Sequence, residues 1–253
     1  MASKISAVII TQNEERNIGR CLESLRGIVD EIVVVDSGST DETKEICEKY
    51  GARFMHHDWK DYADQKNYAN SLVSHEWTLS IDADEALSDK LRESISELKK
   101  AGLDGNCTYS MARLNNYCGS WIRHSGWYPD EKVRLWPSGA CRWEGMVHEE
   151  LKYAKAMENR KLEGDLLHYS YYSIEEHASR QVKYATLAAQ KAHEQGKRCG
   201  KATLRAKTAW TFVRNYVLKG GFRDGEAGYT VCRMAAFYTL IKYTKLRELN
   251  KKQ

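Results

Sequence analysis

Trp77-Thr78-Leu79-Ser80-Ile81-Asp82-Ala83-Asp84 is an apolar run that stops on two carboxylates one residue apart. The run reads as a buried strand, and the carboxylates fall where that strand leaves its sheet. Two acids so placed can share a hard divalent cation. Mg²⁺ and Mn²⁺ prefer oxygen ligands and usually bind one or two carboxylates plus substrate phosphates. Open α/β sheets bind ligands outside the carboxyl ends of their strands, so a metal–diphosphate site is expected here, with Asp82 and Asp84 as its metal ligands. A bare Asp-x-Asp is more often a solvated acidic turn, here one that caps a helix at about Ser88. The motifs on either side reverse that reading.

Upstream, strands and helices alternate. Ile5–Ile10 reads as a first strand, and Ile18, Cys21, Leu22 and Leu25 recur at helical spacing. Glu31–Val35 is short and continuously apolar, as parallel buried strands are. Ser39 and Glu42 fit a capping box that opens a helix to about Tyr50. Ala52–Met55 is a third strand, and Asp64–Val73 a helix before the run at Trp77. Such alternation implies a doubly wound, mostly parallel sheet over the first hundred residues. Beyond Gly102 the pattern changes to short strand-like pieces carrying Trp121, Trp127, Trp136 and Trp143. From Ser173, which with Glu176 forms a second capping box, the chain turns helical, with breaks at Gly220-Gly221 and Gly225/Gly228. The expected division is therefore a catalytic α/β domain over 1–172 and a basic helical region over 173–253.

Three strand-end loops should meet at one sheet edge: Thr11–Glu15, Asp36–Asp41 and Asp82–Glu85. A nucleotide suits that convergence. Asp36 can accept hydrogen bonds from a base or ribose, Gly38 permits close backbone approach, and Lys66 can reach a phosphate. Taken alone, Asp36-Ser37-Gly38-Ser39 is as readily a turn with a helix cap.

The stretches Ile9-Ile10-Thr11-Gln12-Asn13-Glu14, Val34-Val35-Asp36-Ser37-Gly38-Ser39-Thr40-Asp41 and Asp82-Ala83-Asp84-Glu85 resemble family 2 glycosyltransferases of the GT-A fold. The resemblance continues through Gly126–Asp130, Arg134-Leu135-Trp136, Val147-His148-Glu149, His168–Tyr171 and Gly221–Gly225. These look like the subgroup that adds glucose, in β-1,4 linkage, to the inner core of lipopolysaccharide. The resemblance implies a nucleotide-sugar donor, UDP-linked, and inversion at the anomeric carbon. It implies a donor pocket built from Thr11, Asn13, Glu14, Asp36, Ser37, Lys66, Asp82 and Ala83. Asp84 would be the direct ligand of Mg²⁺ or Mn²⁺. Ser37 departs from the family, many of whose members carry a second Asp there.

A diphosphate leaving group gains negative charge as the glycosidic bond breaks, so a metal and Lys66 would stabilise it. The acceptor hydroxyl needs a carboxylate base on the opposite face of the sugar. The family's late Glu-Asp base motif is not evident, which leaves Asp130 and Glu149, with Asp130 slightly preferred. Trp127, Tyr128, Arg134 and His148 are the expected acceptor contacts. His148 and His168 could each complete a metal shell, although a lone histidine is more often a structural hydrogen-bonder. His56-His57 does not read as a ligand pair, because adjacent strand residues face opposite ways. The four tryptophans, interleaved with Arg123, Arg134 and Arg142, look at least partly like an acceptor groove rather than core.

Charge sharpens the picture. Of a net +4, residues 197–253 carry fourteen Lys/Arg against three Asp/Glu, a surplus of +11, while residues 1–196 carry twenty-five against thirty-two, or −7. Ala209–Lys219 pairs aromatics with basic residues, and Val231, Met234, Ala235, Tyr238 and Ile241 share one helical face ahead of a basic end, so the C-terminal helices are expected to touch an anionic membrane surface. No nucleic-acid motif is present. The seven cysteines lack a CxxC pair and read as reduced thiols. No run is long and apolar enough to span a bilayer, and the N-terminus enters a strand at Ile5 without a charged-then-apolar leader. The expectation is a cytoplasmic protein, peripheral on the inner face of the plasma membrane, acting on a glycolipid. The rivals are a polyprenyl-phosphate or capsular-glycan transferase, an Asp-x-Asp phosphohydrolase with Asp82 as nucleophile, and a non-catalytic nucleotide-sugar-binding protein.

Overall fold

A computed structural model describes residues 3–145 and 150–251. It divides into two compact units, Met1–Arg113 with Asp130–His168, and Leu114–Pro129 with Tyr169–Gln253.

The first unit opens with β1 (Ile5–Thr11), α1 (Ile18–Leu25), β2 (Glu31–Asp36), α2 (Thr43–Lys49), β3 (Arg53–His56), α3 (Tyr62–Ser71) and β4 (Trp77–Asp82). The four strands lie parallel in the order β3-β2-β1-β4. Alternate residues of β1 serve two layers, as the period of a strand demands. Ile5, Ala7 and Ile9 pack with Ile18, Cys21, Leu22 and Leu25 of α1, while Val8 joins Val33, Val35 and Ala69 on the other face. Both faces are covered, which is why these strands are apolar throughout.

After β4 come β5 (Glu85–Leu87), α4 (Asp89–Ala101) and β6 (Cys107–Tyr117). β7 (Ser120–Ile122) belongs to the second unit, and β8 (Asp130–Pro137), β9 (Cys141–Glu144), β10 (Glu150–Tyr153) and β11 (Glu158–Tyr171) follow. The sheet continues beyond β4 as β8-β6-β11-β5, with β8 antiparallel to both β4 and β6, and β9 and β10 form a separate ribbon. Ser88 caps α4, its hydroxyl accepting from the Leu91 N–H at 3.3 Å.

Two local expectations change. The Ser39/Glu42 capping box does not form, because the Ser39 hydroxyl donates to Asp36 and accepts from the Asn13 N–H at 2.8 Å. Asp41 instead accepts from the Thr43 N–H at 3.1 Å. Nor are the later strands all short. β6 spans 11 residues and is buried almost throughout, and β11 spans 14. The Thr, Ser and Asn residues in β6 and the charges at the start of β11 hide both from a hydropathy reading.

In the second unit, β7 returns on the end of β6 with Tyr117 opposite Ser120. α5 (Ile174–Glu194), α6 (Lys201–Val213) and α7 (Gly225–Lys251) follow, the last two separated by a π-helical turn at Arg214–Leu218 and a 3₁₀ turn at Gly221–Asp224. Ser173 caps α5 as expected, accepting from the Glu176 N–H at 3.2 Å. Gly228 lies inside α7 rather than breaking it, and the remaining break falls at 195–200. His124 is clamped by Asp224, whose carboxylate takes the His124 N–H at 2.8 Å and meets Nδ1 at 2.7 Å.

Candidate active site

Strand register brings the three loops together. Thr11 sits opposite Asp36, and Ile10 opposite Asp82, so the carboxyl ends of β1, β2 and β4 lie side by side. The first two loops are then stitched to each other. The Ser37 N–H donates to the Thr11 carbonyl at 3.1 Å, the Thr40 N–H to the Asn13 side chain at 2.8 Å, and the Glu14 N–H to the Thr43 hydroxyl at 2.8 Å. Asn13 adopts a left-handed φ of 54°, which an Asn tolerates in a tight turn. Glu14 also accepts from the Asn17 amide at 2.7 Å. Asp36 is buried, and one of its oxygens takes the N–H groups of Gly38 and Ser39, each at 2.8 Å. The Thr11 hydroxyl is buried with no partner among the described residues, and so are Arg134 Nε and Trp143 Nε1. Orphaned polar groups of this kind are uncommon and mark where a ligand can bond.

The third loop holds the charge. Ala83 is buried in the core, which leaves Asp82 and Asp84 on either side of it at the rim. Asp82 lies 2.6 Å from Arg134 and 3.3 Å from Lys66. Glu85, fully buried, lies 2.7 Å from Arg134 and 3.4 Å from Arg113. Asp130 lies 2.7 Å from Arg113 and 3.0 Å from Lys132. Three carboxylates and four cations thus form one network with a positive remainder. Burial raises the Asp82 pKa, but Arg134 and Lys66 outweigh it and hold the carboxyl far below the usual range. Burial likewise opposes the charge of Arg134, and Asp82 and Glu85 more than restore it. Asp130 is lowered in the same way, burial being offset by Arg113 and then Lys132.

The network faces a cleft of about 570 Å³ lined by Lys66, Asp82, Arg113, Lys132, Arg134 and Trp143. Lys66 Nζ also stands 4.6 Å above the Trp143 ring. Glu131 and Glu150 border the cleft too, but each is answered by a lysine, Lys161 and Lys152 respectively. Such a cleft suits a polyanion such as a diphosphate.

Asp84 has a different neighbour. Its Oδ2 lies 3.2 Å from Nε2 of His168, near the end of β11. A carboxylate and an imidazole at that separation are a suitable donor pair for a divalent cation, whose remaining positions substrate phosphates and water can fill. Among the described residues no three His, Cys, Asp or Glu side chains gather into a fuller metal shell.

Other expected residues fall elsewhere. Trp127 and Tyr128 belong to the second unit. Trp127 packs in an aromatic cluster, 6.0 Å from Tyr117 and 6.1 Å from His177, and Tyr128 lies under the Arg123 guanidinium at 5.5 Å. His148 and Glu149 lie outside the described residues. Trp136 and Trp143 are core, packed together at 6.0 Å, and Trp121 packs on Tyr169 at 5.4 Å. The tryptophans therefore do more packing than the groove reading allowed. His56 and His57 turn to separate partners, Asp58 and Asp64, as expected of neighbours on a strand. Sequence reasoning missed Arg113 and the role of Glu85. The signal was there: a lone arginine in the apolar stretch Tyr109–Leu114 must find a carboxylate.

Comparison with known proteins follows the same lines. The model of glycosyl transferase family 2 matches residues 6–146. An uncharacterized glycosyltransferase of Rickettsia typhi is 31% identical over 258 residues, 98% of this chain and 88% of that one. The lipopolysaccharide core biosynthesis glycosyltransferase LpsC of Rhizobium meliloti is 34% identical over 249 residues, covering 96% and 91%. Among solved structures, glucosyl-3-phosphoglycerate synthase of Mycobacterium tuberculosis, crystallised with Mn²⁺, UDP and glucosyl-3-phosphoglycerate, is 23% identical with a TM-score of 0.36. It aligns over 45% of this chain and 44% of its own, less than half of its length. The family match over residues 6–146 and the near full-length likeness to these glycosyltransferases show that the chain belongs to glycosyl transferase family 2.

Proposed function

We propose that the protein is an inverting, divalent-metal-dependent hexosyltransferase. It moves a hexose, glucose in the first instance, from a UDP-sugar to a lipopolysaccharide or lipooligosaccharide core, at the inner face of the plasma membrane. The likeness to LpsC supports the acceptor class. Family membership sets the phosphohydrolase reading aside. The observation that carries the proposal is the division of labour in Asp82-Ala83-Asp84. Asp82 is neutralised by Arg134 and Lys66, whereas Asp84 meets an imidazole, so Asp84 with His168 is the pair fitted to hold Mg²⁺ or Mn²⁺.

When bound there, the cation supplies charge neutralisation to the diphosphate. The chain does the rest. Thr11, Asn13, Glu14, Asp36 and Ser37 form the rim that receives the nucleoside, and Lys66 and Arg134 present positive charge to the departing phosphate in a half-enclosed cleft where it is weakly screened. The acceptor hydroxyl gives its proton to a carboxylate. Asp130 shares its charge with Arg113 and Lys132 and is correspondingly weakened as a base, which favours Glu149 for that role.

The test is nucleotide release from UDP-, GDP-, ADP- and CMP-sugars, with Mn²⁺ or Mg²⁺ against EDTA, for wild type and Asp84→Ala. One UDP-sugar should give a metal-dependent signal that the variant loses, and lipooligosaccharide core should accelerate it. Silence across the panel, with no donor-induced rise in melting temperature, would defeat the proposal. Acceleration by a polyprenyl phosphate alone would redirect the acceptor.

A further inference from the structure

The sequence pattern places membrane contact on Ala209–Lys219 and on one face of α7, and the fold buries part of α7. Val231, Cys232, Ala236 and Leu246 are buried. A dense patch of exposed apolar side chains lies at the end of α6 and in the turns after it. Trp210 is 55% exposed, Val217 54%, Leu218 65% and Phe222 54%, with Val213 also exposed. Trp210, Val213, Val217 and Leu218 are spaced i, i+3, i+7, i+8, so they form one stripe that runs on through the π-helical turn.

The stripe has a firm base. Phe212 stacks on Tyr216 at 5.1 Å, and Tyr216 meets Tyr229 at 5.7 Å and Phe222 at 6.2 Å. Arg214 and Arg223 belong to the two turns that carry Val217, Leu218 and Phe222; with Arg205 and Arg233 they are exposed, and among the described residues none of them pairs with a carboxylate. Arg233 leans over the Phe212 ring at 5.4 Å. Between residues 197 and 247 the acids are Asp224, which His124 occupies, and Glu226. Bulky apolar tips beside exposed arginines are what a helix lying in a lipid headgroup region presents. A second copy of the chain suits the surface poorly, since a two-fold contact would bring the same exposed arginines of both copies together.

We propose that the stripe Trp210–Phe222 is the docking site of this protein on an anionic phospholipid surface. Trp210, Val217, Leu218 and Phe222 enter the boundary between headgroups and acyl chains, and the arginines meet lipid phosphates. The choice of a membrane as occupant rests on the glycolipid-acceptor reading; the binding itself does not require that the enzyme be active.

Sedimentation of the full chain with vesicles tests it, using phosphatidylcholine alone and phosphatidylcholine with about a third phosphatidylglycerol. Wild type should bind the anionic vesicles and release them as salt rises. Leu218→Glu and Phe222→Glu should each weaken binding about tenfold, and Arg214→Gln about fivefold. Melting temperature and vesicle-free donor hydrolysis should stay at wild-type values in all three, which separates loss of docking from loss of fold or of function. The proposal fails if wild type ignores anionic vesicles, or if folded Leu218→Glu and Phe222→Glu bind as wild type does. It also fails if light scattering shows a dimer that Leu218→Glu dissociates while no vesicle binding is seen.

Discussion

Arg134 reaches from β8 to the end of β4, its Nη2 lying 2.6 Å from Oδ2 of Asp82. The same nitrogen lies 2.7 Å from the fully buried Glu85. One guanidinium therefore supports both the rim of the candidate site and the turn beneath it. Removing it takes the shortest ion-pair partner from both carboxylates and leaves them to Lys66 and Arg113. Arg134→Met is expected to lower stability by about 3–5 kcal/mol in urea unfolding, as broken buried ion pairs do. Asp82→Asn, which leaves Glu85 to balance Arg134, should cost clearly less.

Asp84 and His168 are expected to act as a pair. Asp84→Asn should abolish the Mn²⁺-induced rise in melting temperature, and His168→Ala should raise the Mn²⁺ concentration needed by about 10–100-fold. A thermal-shift titration reads both without turnover. Unchanged titrations in both variants would place the metal elsewhere.

The two base candidates can be separated by kcat. Glu149→Gln should reduce kcat for transfer by about 100-fold or more, the contribution typical of a general base. Asp130→Asn should act more through donor KM, since it disturbs the Arg113 and Lys132 charges at the cleft. The reverse pattern would return the role to Asp130.

Gly228 is required by close approach. A Cβ there would overlap the Gly221 carbonyl oxygen, where the 3₁₀ turn folds back on α7. Gly228→Ala should destabilise by about 1–3 kcal/mol through overpacking, despite alanine's better helix propensity. Calorimetry distinguishes this from the slight gain expected at an open helical site.

His177 provides a pH signature. It is 1% exposed, held between Tyr117 at 3.2 Å and Gln181 at 2.9 Å, and burial lowers its pKa from 6.5 to about 4. The unfolded chain binds this proton below pH 6.5, while the folded chain resists until about pH 4. Stability from this group is thus complete above pH 6.5 and declines as pH falls through that window, by up to about 1.4 kcal/mol per pH unit. Urea midpoints of wild type and His177→Gln should converge between pH 7 and pH 4.5, once the midpoints are compared as differences. A constant difference would mean that His177 titrates normally.

What the sequence determined by itself is local and periodic. The apolar runs at Ile5, Glu31 and Trp77, each ending on a polar loop, specified a parallel half-sheet, because a strand covered on both faces must be apolar throughout. Asp82-Ala83-Asp84 and Asp36–Ser39 marked the strand ends, and the Ser173 cap marked the start of the helices. The tertiary structure alone decided which partner each charge would take. Asp82 and Asp84 are equivalent on paper, yet one is matched to Arg134 from 52 residues away and the other to His168 from 84 away. Arg113 joined the site because a largely buried guanidinium must be balanced wherever the sheet places it. Along the helices, Val231 is buried while Trp210 and Leu218 stay exposed for a similar reason. Helical periodicity names an apolar face, but only packing decides whether that face is buried or left in water.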